Sequence, residues 1–232
     1  GLASARWLLR QTQSALVGVL DEAGVSFTFF HGRGGAMTRG GGKTHAAVLV
    51  SPPGAVRGRL RAIDQGELVS TKYGFRGVAL RTLEQATGSV ALATALPGQG
   101  TGGDTTPWHD MMEGLARSSR GHYKALVEDT PGFFDYFQLA TPVDAILRMR
   151  ARPGQEEAAQ QGVEQLKGAP WVAAWTQSRI MMPGWYGFGT GLDAIMRQHG
   201  DQAVRDMVRN WQFFQVLLGD VELALAKADM GI

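Results

Sequence analysis

Apolar residues along the 232-residue chain recur at helical spacing in several long segments. The first is residues 2–22, where Leu9, Leu16 and Leu20 fall on one face of a predicted helix. A second helix is predicted for residues 80–96. The pattern of hydrophobic and polar positions therefore favours a mostly helical protein.

Two more helices are predicted from a threonine followed by proline, because proline suits the first helical position. Thr106-Pro107 is one such start, and Thr141-Pro142 precedes a helix at residues 145–149. Near the C-terminus, apolar residues spaced by three and four predict one long helix running almost to Ile232, with its stripe left open to partners outside this chain. The stripe consists of Met207, Trp211, Phe214, Leu218, Val221 and Leu225.

Short β-branched and aromatic runs predict isolated strands between the helices. Residues 26–30 form one such run, and residues 171–177 are apolar enough for a second buried strand. Residues 59–63 and 67–73 alternate around Gln65-Gly66, which predicts a β-hairpin. Isolated strands that each lead into a loop are typical of part of an α/β barrel rather than of an all-β fold.

Composition excludes several classes of protein. Hydrophobic residues make up 44% of the chain, which is ample for a core and excludes a disordered or collagen-like chain. There is no cysteine, so a disulfide framework, a thiolate-bound metal and a cysteine nucleophile are excluded here. No apolar run reaches the roughly 18 residues of a membrane span, and no secretory signal is present. We expect a cytoplasmic protein.

The net charge of +2 hides an uneven distribution. Residues 31–81 contain nine Lys and Arg against Asp64 and Glu67, a balance of +7, which leaves −5 for the rest. Such a block favours a small anion or a nucleic acid as ligand, although a solvated surface is an alternative. Since the nearby aromatic residues fall in strand-like runs and do not form a stacking ladder with the basic residues, we expect no nucleic-acid partner.

The most distinctive segment is the glycine-rich loop at residues 31–45, which contains six glycines between Gly32 and Gly42. Gly42-Lys43-Thr44 matches the end of a nucleotide-binding P-loop. That motif also needs glycine five positions earlier, where this chain has Met37. The sequence therefore argues against a P-loop NTPase.

Two arginines in this loop, Arg33 and Arg39, are flanked by glycines that let the backbone approach a ligand closely. Arginine binds phosphate or carboxylate with two parallel hydrogen bonds and keeps its charge. His31 could exchange a proton or hydrogen bond with the same anion near neutral pH. A flexible surface loop is the alternative interpretation.

The motifs of the chain resemble those of phosphoenolpyruvate carboxylases. The resemblance spans the whole chain in order, and its most specific blocks are His-Gly-Arg-Gly-Gly and Ala-Trp-Thr-Gln. The residues that carry it are Phe30 to Gly35, Arg39 to Gly41, Ser51 to Gly54, Gln65 to Glu67, Lys72 to Gly74, Tyr136-Phe137, Ala140 to Pro142, Pro170-Trp171, Ala174 to Arg179, Pro183, Trp185, Gly187 to Gly189 and Ala226 to Asp229.

This resemblance implies a fold and an activity. Members are cytosolic lyases, usually allosteric homotetramers, built on an eight-stranded α/β barrel with many extra helices. They use Mg²⁺ or Mn²⁺ to convert phosphoenolpyruvate and bicarbonate into oxaloacetate and phosphate through carboxyphosphate and an enolate. Fixed arginines would stabilise the negative charge that accumulates on the phosphate, carboxylate and enolate groups. A site closed to water would protect carboxyphosphate from hydrolysis.

The resemblance also implies roles for individual residues. His31, Arg33 and Arg39 match the family's catalytic loop, and Arg39 and Lys227 match residues that bind the inhibitor aspartate. Arg152 and Lys167 match a phosphate-binding region. From the residues alone, Lys227 could equally be an exposed helix charge and Arg152 a surface arginine.

Departures from the family pattern qualify these roles. Residues 150–156 have a neutral-to-acidic sequence where the family has a basic run. Lys167 stands where the family has an arginine, and lysine keeps the charge but cannot form two parallel hydrogen bonds to a phosphate. Thr38 and Lys43 replace a glycine and a proline. The family's metal ligands and catalytic histidine would lie before Gly1, and its C-terminal ending is absent. We therefore expect residues 1–232 to form part of a barrel that is inactive alone; a diverged, non-catalytic regulatory or assembly partner is the alternative.

Overall fold

A computed structural model describes residues 1–31, 43–63, 66–98, 104–150, 169–229 and 231. This part of the chain is predominantly helical. Its two short strands are β1 (Phe30–His31) and β2 (Arg61–Ala62), and a 3-10 turn covers Met182–Gly184. Its helices are α1 (Leu2–Glu22), α2 (Thr44–Leu49), α3 (Gly66–Tyr73), α4 (Arg76–Ala95), α5 (Thr106–Val127), α6 (Phe133–Ala140), α7 (Val143–Arg150), α8 (Ala169–Gln177), α9 (Phe188–His199), α10 (Asp201–Asn210) and α11 (Gln212–Lys227).

The two strands are parallel, with Phe30 opposite Arg61 and His31 opposite Ala62. The backbone N–H of Ile63 extends the pairing by donating to the His31 carbonyl at 3.1 Å. The predicted β-hairpin is therefore wrong, because β2 pairs with the earlier β1 and the second half of the expected hairpin is helix α3. A seven-residue alternating run is too short to exclude helical periodicity.

Helix α8 also replaces a predicted strand. Trp171 and Trp175 are one helical turn apart, so both rings meet Phe137 of α6, at centroid distances of 4.6 and 5.2 Å. Trp175 is 1% exposed. A short apolar run does not distinguish a buried strand from a buried helix, and here the helical spacing of the two tryptophans was the better guide.

The C-terminal stripe belongs to two helices rather than one. Trp211 separates α10 from α11 in an extended conformation (φ −116°, ψ 99°) and is fully buried. The predicted single helix is therefore wrong, and its apolar face is largely buried within this chain rather than open to partners. Leu225, at the end of the stripe, is 51% exposed.

Helix α1 begins and ends where predicted, but its buried face differs from the expected one. Ala3 and Trp7 are buried, whereas Leu9 and Leu16 are 40% and 42% exposed. The packing partners of α1 are α5 and α11, and they cover the face that contains Trp7. The predicted leucine stripe is left largely uncovered by the described residues.

Two hydrophobic clusters form the core, and α5 contributes to both. The larger cluster joins α1, α5 and α9–α11 around Met112, Leu115 and Trp211. The smaller one joins α6–α8 around Phe137 and Trp175, with residues from the end of α5 packed against it.

Within the described residues, β1 and β2 form a two-stranded sheet and no closed barrel. The expected predominance of helix is confirmed, and the barrel itself remains a prediction. None of the described helices is both long and apolar enough to cross a membrane.

Candidate functional site

His31 lies at the carboxyl end of β1, directly before residues 32–42. Its side chain is half-buried. Burial lowers the pKa of the imidazole, and the nearby positive charge of Arg6 lowers it further. His31 is therefore neutral near pH 7 and has one ring nitrogen free of a proton.

The carboxyl ends of the two parallel strands lie side by side, because parallel neighbours run in the same direction. The His31 end leads into residues 32–42, and the Ala62 end leads into residues 64–65. Arg33 and Arg39 fall in the first of these segments, and Arg152 and Lys167 fall within residues 151–168. These four of the predicted site residues therefore lie outside the described residues, whereas His31 and Lys227 lie within them.

A polar cleft opens beside His31. One wall is helix α1, which contributes Arg6, Arg10 and Gln13, and other walls come from Val50 to Pro52 and Phe213. Residues 6, 10 and 13 share one helix face because they are spaced by four and three positions. The cleft is small, with a cavity volume of about 20 Å³, which is room for about one water molecule.

Arg10 is fixed in this cleft by two contacts. Its Nη1 donates to the carbonyl oxygen of Val50, and its guanidinium lies 5.0 Å from the centre of the Phe213 ring. Burial lowers the pKa of Arg10 to about 10, so the side chain is still charged at neutral pH. The cleft thus has a fixed positive charge close to His31.

Arg6 forms a buried ion pair with Asp220 of α11, with Nη2 and Oδ2 3.5 Å apart and side-chain exposures of 7% and 4%. Burial is the larger influence on both groups. It lowers the pKa of Arg6, and it raises the pKa of Asp220 to about 6 against the opposing effect of Arg6. The pair connects the cleft wall to the C-terminal helix.

Lys227 is the last residue of α11 and is exposed. It does not lie in the His31 cleft, since Phe213 lines the cleft and fourteen residues of helix span about 21 Å. Just beyond it, the backbone N–H of Asp229 donates to the Arg179 carbonyl at 2.8 Å. The structure therefore places His31 and Lys227 at different ends of α11.

Sequence reasoning missed Arg6, Arg10, Gln13 and Asp220. Polar residues at positions 6, 10 and 13 repeat at helical spacing and flank the buried Trp7, which is a pattern that could have identified a polar face turned inward. No pattern in the sequence connects that face to Asp220, about two hundred residues away.

The expected divalent cation has no site among the described residues. No three His, Asp or Glu side chains in that part of the chain lie close enough together to hold a metal ion. The charged groups that line the cleft are cationic, which does not suit Mg²⁺ or Mn²⁺.

Comparison with known proteins gives a consistent result over the whole chain. A family model described as phosphoenolpyruvate carboxylase matches residues 1–232. The phosphoenolpyruvate carboxylase of Xanthomonas euvesicatoria pv. vesicatoria is 42% identical over 234 residues, covering 100% of this chain and 26% of that protein. The one from Nocardia farcinica is 39% identical, with 100% and 26% covered. The one from Pectobacterium atrosepticum is 38% identical, with 99% and 26% covered.

This chain spans about a quarter of the length of these relatives (26%). The matched quarter includes the strand that ends at His31 and the glycine-rich segment after it. Because the family model matches all of residues 1–232 and a relative is 42% identical, the chain belongs to the phosphoenolpyruvate carboxylase family.

Proposed function

We propose that the protein containing this chain converts phosphoenolpyruvate and bicarbonate into oxaloacetate and phosphate, and that this segment supplies anion-binding residues to the active site. The observation that carries the proposal is the family match over residues 1–232. The relatives named above are phosphoenolpyruvate carboxylases.

The chemistry of His31 agrees with a role beside a reacting anion. Its position at the end of a parallel strand is where α/β barrels place catalytic groups. A neutral imidazole can accept a proton from bicarbonate as bicarbonate attacks phosphorus, and it does not attract the anion away from the reacting position. Arg33 and Arg39 would stabilise the negative charge that develops on the phosphoryl group and the enolate.

The barrel belongs to the same proposal. A two-stranded parallel sheet is not stable on its own, and parallel sheets are normally covered on both faces. Phe30 in β1 and Ile63 directly after β2 are 54% and 48% exposed. We infer that further strands, from residues outside the described part, extend this sheet into a barrel.

Binding of the substrate phosphate is proposed for Arg152 and Lys167, on the basis of the family resemblance. A divalent cation, Mg²⁺ or Mn²⁺, would supply further charge stabilisation when bound, through ligands outside the described residues.

The test is an assay of the complete protein for oxaloacetate formation that depends on bicarbonate. The proposal expects oxaloacetate and phosphate in equal amounts. If the purified protein forms neither product with Mg²⁺ and with Mn²⁺, the alternative applies, namely a diverged regulatory or assembly partner. That alternative is motivated by the altered residues 150–156.

Aspartate inhibition and a homotetrameric assembly are further parts of the proposal. Since the family resemblance assigns Lys227 to the aspartate site, Lys227→Ala should weaken inhibition by aspartate. Because Lys227 is exposed and distant from His31, the uninhibited rate should stay nearly unchanged. Steady-state rates with increasing aspartate test this, with the exposed Arg205→Ala as control. Inhibition of equal strength in Lys227→Ala and the control would remove Lys227 from the inhibitor site.

A further inference from the structure

A pocket of about 210 Å³ opens where three parts of the fold meet, namely the end of α4, the segment that follows α2 and the first residue of α11. It is much larger than the cleft beside His31, and the two share Ser51 and Pro52 as lining residues. An engineered cavity of about 150 Å³ holds a benzene ring, so this pocket has room for one bulky side chain.

The residues around the pocket are mostly apolar, and none of those that the structure describes is charged. Val56 forms one wall, and Leu92 and Leu96 of α4 line the pocket while remaining 51% and 42% exposed. The hydroxyl of Ser51 is already engaged, since it donates to the carbonyl oxygen of Ala47 at 3.1 Å. An uncharged and mostly apolar lining suits an apolar side chain and does not suit a metal ion or a free anion.

The wall that follows α2 is anchored on both sides of the pocket. Before it, the carbonyl oxygen of Val50 accepts a hydrogen bond from Arg10 of α1. After it, the backbone N–H of Gly58 donates to the hydroxyl of Thr94 on α4 at 2.7 Å. Between these anchors, Pro52 has a restricted backbone. Because the wall is held in place, the pocket does not close readily and has to be filled by water or by another group.

The sequence next to the pocket offers no hydrophobic residue to fill it. Gly98 lies on the rim, and residues 99–103, which follow it, are Gln-Gly-Thr-Gly-Gly. The group that covers Leu92 and Leu96 therefore comes from elsewhere. This chain corresponds to 26% of the length of its relatives, so most of such a polypeptide lies outside residues 1–232.

We propose that this pocket binds one bulky apolar side chain, of leucine to phenylalanine size, from the part of the polypeptide outside residues 1–232. The contact would fix the end of α4 and, through Ser51 and Pro52, one wall of the cleft beside His31. The inference rests on the chain being a segment of a longer protein. It goes beyond the proposed function, because no step of the carboxylation enters it.

The test is photo-cross-linking in the complete protein, with a diazirine analogue of leucine in place of Leu96 or, in a second variant, of Leu92. The analogue keeps the size of leucine and reacts only with groups in contact with it. The control position is Leu139, which is 88% exposed and does not line the pocket. Mass spectrometry of the digested protein identifies the peptide that has been cross-linked.

We expect positions 92 and 96 to cross-link to one peptide outside residues 1–232 of the same polypeptide, and position 139 not to reach that peptide. Filling the pocket should displace the occupant. Ala93 lines the pocket, so adding Ala93→Trp should lower the yield of this cross-link by about fivefold or more, because the indole overfills the space. Arg205→Trp, which adds the same side chain on the exposed surface of α10, should leave the yield unchanged.

Three results would overturn the inference: cross-links only within residues 1–232, a dimer-sized product on a denaturing gel, or adducts with water alone. An unchanged yield in a folded Ala93→Trp variant would also overturn it, because the contact would then lie outside the pocket. Cross-linking requires no turnover, so the two proposals can fail separately. A protein that gives the expected cross-link but forms no oxaloacetate would retain the pocket contact and reject the carboxylase.

Discussion

The buried pair of Arg6 and Asp220 is the clearest energetic feature at the scale of single residues. Two charges have been removed from water, and their 3.5 Å separation is long for a strong ion pair. Burial raises the pKa of Asp220 to about 6 although Arg6 opposes the rise. Desolvation therefore outweighs attraction, as in many buried ion pairs.

This balance predicts a pH dependence with a definite sign. The unfolded Asp220 has a pKa near 3.9, below its folded value of about 6. Its contribution to stability is therefore complete below about pH 4 and is lost as pH rises through about 6. In the Asp220→Asn variant the side chain is uncharged at every pH, so this loss of stability at high pH does not occur. Chemical denaturation should give similar stabilities near pH 4 and a more stable Asp220→Asn variant at pH 8, by up to about 3 kcal/mol.

The comparison is made between two variants at each pH, so the opposite contribution of His31, whose pKa is lowered, cancels. Asp129→Asn, which changes the net charge in the same direction at an exposed position, serves as control for a simple change of net charge. A strongly destabilised Asp220→Asn at pH 8 would mean that the ion pair is net stabilising and would contradict this account.

At the scale of elements, the crossing of α5 and α9 depends on a glycine. A Cβ atom added at Gly191 would lie 2.7 Å from the carbonyl oxygen of Leu115 and 3.4 Å from Cβ of Ser119. The two backbones are therefore in close contact, and this contact positions α9 against the larger core.

Gly191→Ala should push the two helices apart and lower the free energy of unfolding by about 1–3 kcal/mol. Gly189→Ala in the same helix is the matched control, because an added Cβ there meets nothing within 4 Å. The control should be neutral or more stable by up to about 1 kcal/mol, since alanine favours helix. Denaturation curves of both variants test the prediction, and equal stabilities would show that the crossing can widen without cost.

The elements also show what the sequence could predict. Helices α1 and α5 start where predicted, α5 because Pro107 is a strong local determinant, and α7 starts at Val143, two residues before the predicted start. The strand predicted at residues 171–177 and the hairpin after residue 59 are wrong, because short apolar or alternating runs fit two periods. Tertiary packing decides between them, and a single sequence does not contain it.

For the candidate site, the sequence predicted His31 at the end of a strand before a glycine-rich segment. It did not predict the polar face of α1 or its contact with Asp220, because long-range pairing between two helices leaves no local pattern. Arg33, Arg39, Arg152 and Lys167 remain predictions.

At the scale of the whole molecule, large apolar surfaces are left uncovered by the described residues. Leu80 and Leu83 of α4 are 56% and 54% exposed, and Leu8 and Val19 of α1 are 63% and 62% exposed. Contiguous exposed apolar surface usually marks an interface. Since the chain corresponds to 26% of its relatives, we propose that the rest of the polypeptide covers these helices.

This proposal predicts protection of α4 in the complete protein. In hydroxyl-radical footprinting, Leu80 and Leu83 should be oxidised much more slowly than an exposed leucine of a short unstructured peptide. Acid-unfolded protein supplies the reference in which both residues react fully. Reactivity in the folded protein close to that reference would show that this face is in contact with solvent.

The central claim is that this segment supplies active-site arginines to a phosphoenolpyruvate carboxylase. The most direct measurement is kcat/KM for bicarbonate-dependent oxaloacetate formation by the complete protein, comparing the wild type, Arg33→Ala and the control Arg205→Ala. The account predicts a loss of about a hundredfold or more in Arg33→Ala, because a fixed group that stabilises transition-state charge is removed, and no loss in the control. Unchanged turnover in a folded Arg33→Ala variant would contradict it.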